Sequence, residues 1–519
     1  MPRRVVDLDR LTATGIRAGA LDGRSVTVLG LARSGIALTR FFADAGARVT
    51  VYDGRSAGQL ASAVESLGAR SVELRLGPEV EPASTWSTAD LIATSPSINP
   101  DFPTAEPRLR AALRDVVEAH LADRVGSPAL VSEADLVLRL CPCPTIGVTG
   151  TKGKTTTASL AAALLDEDRH HPVILGGNIG IPLVERLPEL TPEHRVVVEL
   201  SELQIPTLSR GTTVAVYTNV TADHLDRHGS LEAYRKVKRR LAELVESGGA
   251  LVLNADDPVV SGYVAPGGAA TVTYRQGRPT PGGLGVVDGW IVADGVERLA
   301  VAGGGAAEVG PGERVLPIAE LAIPGEHNVS NALAAAAVAL LFGVPTQAIR
   351  HAAGTFAGVE HRLEQVAIVD GVRFVNDSQG TQPDAVIAAL RSFPRPLVLI
   401  AGGRDKGVDL AVLGPVVAER ADAAVLIGES GPTLAELFRS NGMKLVELAE
   451  TLEGAVGRAD QIARGLLSDS GAGRSPATVL LSPAAASFDM FVDYAARGRA
   501  FKAEVAALAE RRRLLESVR

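Results

Sequence analysis

Residues 145–157 read TIGVTGTKGKTTT, and the fold is decided by this stretch. Ile146 to Thr149 predicts a short buried strand, Gly150 to Lys154 a glycine-bearing loop, and Thr155 onward, TTTASLAAALL, a helix. Strand, loop and helix in that order make a phosphate cradle. Glycines let backbone N–H groups close around phosphate oxygens, and the helix N-terminus adds partial positive charge. Lys154 can reach terminal phosphates, and the Thr155 hydroxyl can hold Mg²⁺. The common phosphate-loop motif has a longer gap before its Gly-Lys pair. Here only Thr151 and Lys152 separate Gly150 from Gly153. A turn that merely joins a strand to a helix is the plain alternative. The placing of Lys154, Thr155 and Thr156 favours the cradle.

Upstream, residues 25–55 read SVTVLGLARSGIALTRFFADAGARVTVYDGR. A strand (Val26 to Leu29), a turn with Gly30 and Gly35, an amphipathic helix and a second strand ending at Asp53 form a βαβ unit of the nucleotide-binding kind. Its third fingerprint glycine is poorly placed, so the pattern fits a dinucleotide, another nucleotide-like ligand, or close helix packing alone. The strand Leu91 to Ala93 runs into TSPSINPDFP, a loop at the carboxyl end of a strand, where ligands of such sheets bind.

Downstream, strands and helices alternate through Val173 to Leu175, Val196 to Leu200, Val214 to Thr218, a long helix from Leu231, and Leu251 to Asn254. This predicts a mostly parallel sheet covered on both faces. From Ala265 to Gly310 the texture becomes glycine-rich, which predicts a small antiparallel insertion. Helices from Asn328 to Phe342 and from Thr346 to Ala353 follow. A third α/β region begins near Phe356, with loops GGRDKG and SPAAAS at strand ends. The fold class is therefore α/β, in three domains: residues 1–140, 141–355 and 356–519.

The 519 residues carry a net charge of −8, with 46% hydrophobic and 22% charged side chains. That balance suits a cytoplasmic enzyme and argues against a dedicated nucleic-acid binder, which needs a basic face. The most apolar long run, ALAAAAVALLFGV from Ala332, is too short to span a bilayer. The two cysteines, Cys141 and Cys143, are too few for a zinc site and read as inert thiols. Only seven of the 52 basic residues are lysines, and two of them lie in the phosphate loop.

Further clusters can carry chemistry. VVVELSELQI places Glu199 at a strand end, where a carboxylate can bind Mg²⁺; Glu202 competes for that role. YTNVTADHLDRHGSLEAYRKVKRRL holds His224 and, on the following helix, Lys238, with Asn219, Asp223, Asp226 and Arg227 crowding the same loop. In PGEHNVSNALA, the amides of Asn328 and Asn331 can bond a nucleobase or simply cap the helix. EHRLEQV, VNDSQGTQPDA, GGRDKG and SPAAASFDMF offer Arg362, Asp377, Lys406 and Ser487, cations and polar groups that could hold an anionic substrate.

Taken in order, GTKGKTTT, ELSELQI, NVTADHLDRHGSLEAYRKVK, GEHNVSN, EHRLE, NDS and LSPAAASFD resemble the motifs of the Mur ligase family, and they span most of the chain. The resemblance implies an ATP-dependent amide ligase of peptidoglycan synthesis. It would add D-glutamate to UDP-N-acetylmuramoyl-L-alanine through an acyl phosphate. Its three parts would be an N-terminal Rossmann-like UDP-binding domain, a central ATPase-type parallel sheet and a C-terminal Rossmann-like domain for the amino acid.

The site residues follow from the same resemblance. Gly150, Thr151, Lys152, Gly153, Lys154, Thr155 and Thr156 would hold ATP phosphates. Asn328, Arg362 and Asp377 match positions that bind its base, phosphate and ribose. Thr155 and Glu199 would ligate a first Mg²⁺, and His224 with a carbamylated Lys238 a second. Ser34, Asp53 and Arg55 lie where the family holds uridine diphosphate, and Asn178 where it contacts substrate. Gln379, Thr381, Lys406, Ser487 and Phe488 would line the glutamate site. The expected unit is a monomer with no nucleic-acid or membrane partner.

Departures are Gln379 in place of a lysine, Ser97 in place of a glycine and Lys152 in place of an asparagine. The first and third resemble ligases that add L-glutamate, which leaves that amino acid as an alternative. An NAD-dependent dehydrogenase built on the βαβ unit and a nucleotide-binding regulator without catalysis are the competing classes.

Overall fold

The computed structural model describes residues 6–101, 105–122, 127–223, 225–300, 309–323, 325–404, 410–468 and 476–517. The chain divides into two compact units, Met1–Phe356 and Ala357–Arg519.

The first unit carries two sheets. One is built of β1 (Ser25–Leu29), β2 (Arg48–Asp53), β3 (Val72–Leu76), β4 (Leu91–Thr94) and β5 (Ala129–Ser132), in the order β3-β2-β1-β4-β5. Its pairs are all parallel, and the order reverses at β1, which opens a crevice at the carboxyl ends of β1 and β4. The other sheet comprises β6 (Thr145–Thr149), β7 (Val173–Gly177), β8 (Arg195–Glu199), β9 (Val214–Tyr217), β10 (Ala250–Asn254), β11 (Ala270–Tyr274), β12 (Gly283–Val287), β13 (Trp290–Asp294) and β14 (Pro311–Pro317). Its order is β14-β13-β12-β11-β10-β9-β6-β8-β7. All of β6, β8, β9 and β10 is buried, as continuous apolar runs covered on both faces should be.

On one face of β6, the helix Lys154–Leu165 packs against the helix Glu326–Leu341. The latter is buried at every residue from Asn331 to Leu341, the behaviour of a helix that is apolar all round. On the other face, a continuous core joins Leu38, Phe42 and Val51 of the first sheet's layer to Leu183, Val196, Leu200 and Tyr217 of the second.

The glycine-rich segment differs from expectation. β11 pairs parallel to β10 over its whole length and β12 parallel to β11, and only the β12–β13 and β13–β14 pairs are antiparallel. The segment therefore lies at the edge expected of it and continues the central sheet, with its first part parallel and only its outer part antiparallel. The edge of β10 has unpaired backbone groups that β11 satisfies, and Val272, Tyr274, Leu284 and Ile291 join the central core.

The second unit has one sheet of β15 (Glu364–Val369), β16 (Val372–Asn376), β17 (Leu397–Gly402), β18 (Ala423–Ile427), β19 (Val446–Leu448) and β20 (Ala477–Leu481), ordered β15-β16-β20-β17-β18-β19. Only β15 runs antiparallel to its neighbour. Among the described residues no helix is long and apolar enough to cross a membrane.

Candidate active site

The stretch 145–157 folds as strand, loop and helix. Gly153, at φ 85°, is the N-cap of the helix Lys154–Leu165, and no side chain caps that end, the arrangement in which a helix start can face an anion. Gly150 sits at φ 147°, and a Cβ there would fall 2.0 Å from Thr218 Oγ1. The loop is held from outside by residues 218–221. Thr151 N donates to Asn219 O at 2.7 Å and Lys152 N to Asn219 Oδ1 at 2.9 Å, while Thr218 Oγ1 and Asn219 Nδ2 donate to Lys152 O at 2.6 and 3.0 Å. The Thr151 hydroxyl lies 3.0 Å from Tyr234 OH and accepts from Thr221 N. Lys154 Nζ donates to Thr151 O at 2.8 Å, which folds the ammonium back over the loop. Lys152 is exposed, Thr155 buried and Thr156 half-buried.

Asn331 ties a second helix to this loop. Its Oδ1 accepts from the Thr157 hydroxyl at 3.2 Å, and its Nδ2 donates to Asn328 Oδ1 at 3.0 Å. Neither asparagine is the N-cap residue of Glu326–Leu341, which is Gly325; both lie inside the helix.

Beside the loop, Glu199 ends β8 and is 1% exposed. Its Oε1 accepts from Asn178 Nδ2 at 2.9 Å, and its Oε2 is buried without a hydrogen-bond partner. A buried carboxylate oxygen left open costs free energy unless something positive meets it. Glu202, the competing acid, is already paired to Arg227 at 3.0 Å.

Lys238 points inward from the helix Leu231–Glu243, fully buried, with Nζ 3.2 Å from Thr149 Oγ1. Burial and the charge of Lys154 push its amine down to about 7, against the pull of Glu202, Glu199 and Asp223. A neutral, nucleophilic amine is thus well populated at neutral pH. Among the described residues no three His, Cys, Asp or Glu side chains form a ready metal cluster. The open oxygen of Glu199 and the Thr155 hydroxyl nonetheless suit a hard cation beside phosphates, and Lys238 suits one if its amine becomes an anionic oxygen donor. His224 lies outside the described residues.

At the first sheet's crevice, Asp53 is 7% exposed and fully engaged. Its Oδ2 accepts from Leu31 N at 2.8 Å and Arg55 Nη2 at 2.7 Å, and its Oδ1 accepts from Arg55 N and Nε. Burial alone would raise this carboxyl, yet those hydrogen bonds and the guanidinium charge hold it below the ordinary carboxylate range. Ser34 lies in the first turn of the helix Arg33–Asp44, whose start also lacks a side-chain cap. Arg33 Nη2 reaches Gly177 O, just before Asn178.

The second unit gathers its own set. Asp377 is buried at the end of β16, with Oδ2 accepting from Ser482 Oγ at 2.7 Å and Oδ1 from Leu363 N at 3.2 Å. Burial pushes its carboxyl up to about 7, while Ser482, the Leu363 amide and Arg362 pull the other way. Gln379 donates its backbone N–H to His361 O, and its Oε1 is buried without a partner. Thr381 N donates to Gln379 O at 2.8 Å. Ser487 is buried and Phe488 is 63% exposed. Lys406 lies outside the described residues.

Three contributors escape a reading by motif. Thr218 and Tyr234 hold the phosphate loop from neighbouring elements. Arg497, 1% exposed, donates to Ser378 Oγ and to the carbonyls of Ser378, Ala485 and Ala486, binding the NDS and SPAAAS loops together. A lone arginine on a charged terminal helix gives no signal of that task in sequence.

Family profiles agree with this arrangement. The Mur ligase middle domain matches residues 148–339, the Mur ligase glutamate ligase domain residues 361–470, and the Mur ligase MurD-like N-terminal domain residues 24–119. A UDP-N-acetylmuramoylalanine–D-glutamate ligase of Symbiobacterium thermophilum is 36% identical over 496 residues, 95% of this chain and 100% of the relative. One of the same name from Pelotomaculum thermopropionicum is 36% identical over 486 residues, 93% of this chain and 98% of the relative. In fold, the chain is similar to MurF from Acinetobacter baumannii, with a TM-score of 0.54 at 16% identity over 98% of this chain and 100% of that one. MurC from Thermotoga maritima gives a TM-score of 0.52 at 19% identity over 93% and 99%. The chain belongs to the Mur ligase family.

Proposed function

We propose that this protein is an ATP-dependent ligase that joins D-glutamate to UDP-N-acetylmuramoyl-L-alanine in peptidoglycan synthesis. The observation that carries the reading is the near-full-length match to relatives named for that reaction, 36% identical over 95% of the chain. The sites fit it: an uncapped helix start with Lys154 for phosphates, and beside it a buried acid with an open oxygen.

A carboxylate does not acylate an amine in water, so it must first be activated. In this reading the alanyl carboxylate attacks the γ-phosphorus of ATP; the bond to ADP breaks and an acyl phosphate forms. The amine of glutamate then attacks the acyl carbon, phosphate leaves, and the amine gives up a proton as the amide forms.

Gly150 to Thr156 hold the phosphates, and Lys154 offsets their charge. Asn178 orients the Glu199 carboxylate. Thr155, Glu199, His224 and a carbamylated Lys238 would hold two Mg²⁺ ions, which supply positive charge against the phosphoryl oxygens. Carbamylation is supported by the neutral, buried amine, which can add to CO₂ with loss of a proton. Asp53, Arg55 and Ser34 take the uridine diphosphate. Asn328, Arg362 and Asp377 take the nucleoside and a phosphate of ATP, and Gln379, Thr381, Lys406, Ser487 and Phe488 take glutamate. The three proposed domains, residues 1–140, 141–355 and 356–519, divide these tasks. One chain supplies the whole set, so the working unit is a cytoplasmic monomer; light scattering on the purified protein checks the monomer.

Phosphate release is the direct test. It should require ATP, UDP-N-acetylmuramoyl-L-alanine and D-glutamate together, with L-glutamate, D-aspartate and L-lysine as comparators. No turnover with D-glutamate overturns the reading. Lys238→Ala should lose activity and regain part of it with added short carboxylates, whereas full activity without them excludes the carbamate.

A further inference from the structure

The loop 218–221 that clamps the phosphate loop is itself held by two buried side chains of the NADD segment, residues 254–257, which begins at the last residue of β10. Asn254 Nδ2 donates to Thr218 O at 2.7 Å. Asp257 Oδ2 accepts from Val220 N at 2.9 Å, and its Oδ1 accepts from Val259 N and Val260 N at 2.9 Å each. Asn254 Oδ1 accepts in turn from Asp256 N, which fixes the amide's orientation. Both residues are nearly buried, at 8% and 7% exposed. Tyr274 OH adds a bond to Tyr217 O at 2.9 Å.

The two holds fall on either side of Asn219. Asn219 is the residue whose carbonyl and side chain receive the amides of Thr151 and Lys152. We infer that Asn254 and Asp257 are positioning residues for ATP: they set the height of loop 218–221 on the sheet and thereby the direction of the phosphate-loop amides. Both act through loop 218–221. The geometry leaves little slack, because Gly150 already lies so close to Thr218 that a Cβ would collide with its hydroxyl. A shift of Thr218 therefore pushes on the loop instead of being absorbed in a gap. Amides aimed at developing charge lose effect over displacements of about 1 Å, so the cost falls on ATP and on the chemical step.

The inference rests on the phosphate loop being the ATP site, and the experiment separates the two. Full-length protein is compared with Asn254→Asp and Asp257→Asn, both nearly isosteric, and with Val252→Ala, which opens a cavity in the same strand away from the loop. Calorimetry with Mg·ADP and steady-state kinetics are run beside melting curves. Asn254→Asp replaces the donor to Thr218 O with an acceptor. Asp257→Asn keeps one acceptor and presents an NH₂ group to the other amides.

The expected result is an ATP KM at least about tenfold higher in Asn254→Asp, with a lower kcat, and a smaller shift of the same kind in Asp257→Asn. The KM for glutamate stays near that of the parent, and Val252→Ala lowers the melting temperature while leaving the ATP KM within about twofold. Parental ATP KM and kcat in both NADD variants overturn the inference. So does an ATP KM that rises equally in Val252→Ala. Absence of Mg·ADP binding by the parent protein overturns the ATP-site reading itself, and the inference with it.

Discussion

The first unit contains two strand–glycine–helix turns of similar outline, and they differ in what surrounds them. In the turn after β1, Gly30 and Gly35 close on each other, for a Cβ on Gly35 would meet Gly30 O at 1.8 Å. Its acid, Asp53, is saturated by Leu31 and Arg55. In the turn after β6 the glycines are shaped by a second loop, and the neighbouring acid and amine are not saturated: Glu199 keeps an open oxygen and Lys238 is driven toward neutrality. A glycine turn at a helix start is thus a general anion seat. Reactivity enters with groups left electrostatically unfinished beside it. On the proposed function, the first turn would hold a ligand and the second would change one.

The largest expected effect breaks or confirms that division. Lys154→Ala should lower kcat by about 10²–10³-fold, the scale of removing one donor from a charge-stabilising site. Ser34→Ala in the first turn should change the KM for the UDP-linked substrate by less than about tenfold and leave kcat alone. Steady-state kinetics on both variants decide it; equal losses of kcat would erase the distinction.

Next comes backbone space. Gly150→Ala meets Thr218 Oγ1 and the Asn219 backbone at an unfavourable φ and should cost about 3 kcal/mol in urea unfolding. Gly30→Ala meets only the end of the Ile98 side chain, 2.7 Å away, at φ 83°, and should cost about 1 kcal/mol. If the first-sheet variant is the less stable of the two, the phosphate loop is not the tighter turn.

Both turns were legible in sequence, because alternating apolar runs and glycine spacing report local backbone directly. The central strands β6, β8, β9 and β10 fell within a residue of expectation for the same reason. What neighbours contribute was not legible. Thr218, Tyr234 and Arg497 act across long sequence separations through hydrogen bonds, and hydrogen bonding between distant residues leaves no periodicity. In the Ala265–Gly310 segment the edge position and the antiparallel β12–β13 pair match expectation, whereas the parallel β11 does not, because glycine-rich composition reports turns well and strand partners poorly; the open edge of β10 decided the pairing. Lys238 stands out in sequence only as part of the cluster with His224, and its role comes from the family motif; its full burial was not legible, since a lysine amid arginines on an amphipathic helix resembles a surface residue.

Asp53→Asn sharpens the comparison at its smaller scale. The folded protein holds this carboxyl below its unfolded value of about 3.9, so the ionised form is the one the fold favours. Its contribution is present above pH 4 and is lost as pH falls through the folded pKa. The asparagine variant has no charge to lose. It should therefore be less stable than the parent at pH 7 by only about 1 kcal/mol, because Arg55 is half exposed and its attraction is screened. That gap should narrow in acid, as urea unfolding of both proteins from pH 7 to pH 3 would show. A gap that stays constant would mean Asp53 acts through shape and not through charge. The first turn would then need its arginine for the ligand alone, and Arg55→Gln would weaken UDP binding without altering the acid stability of the fold.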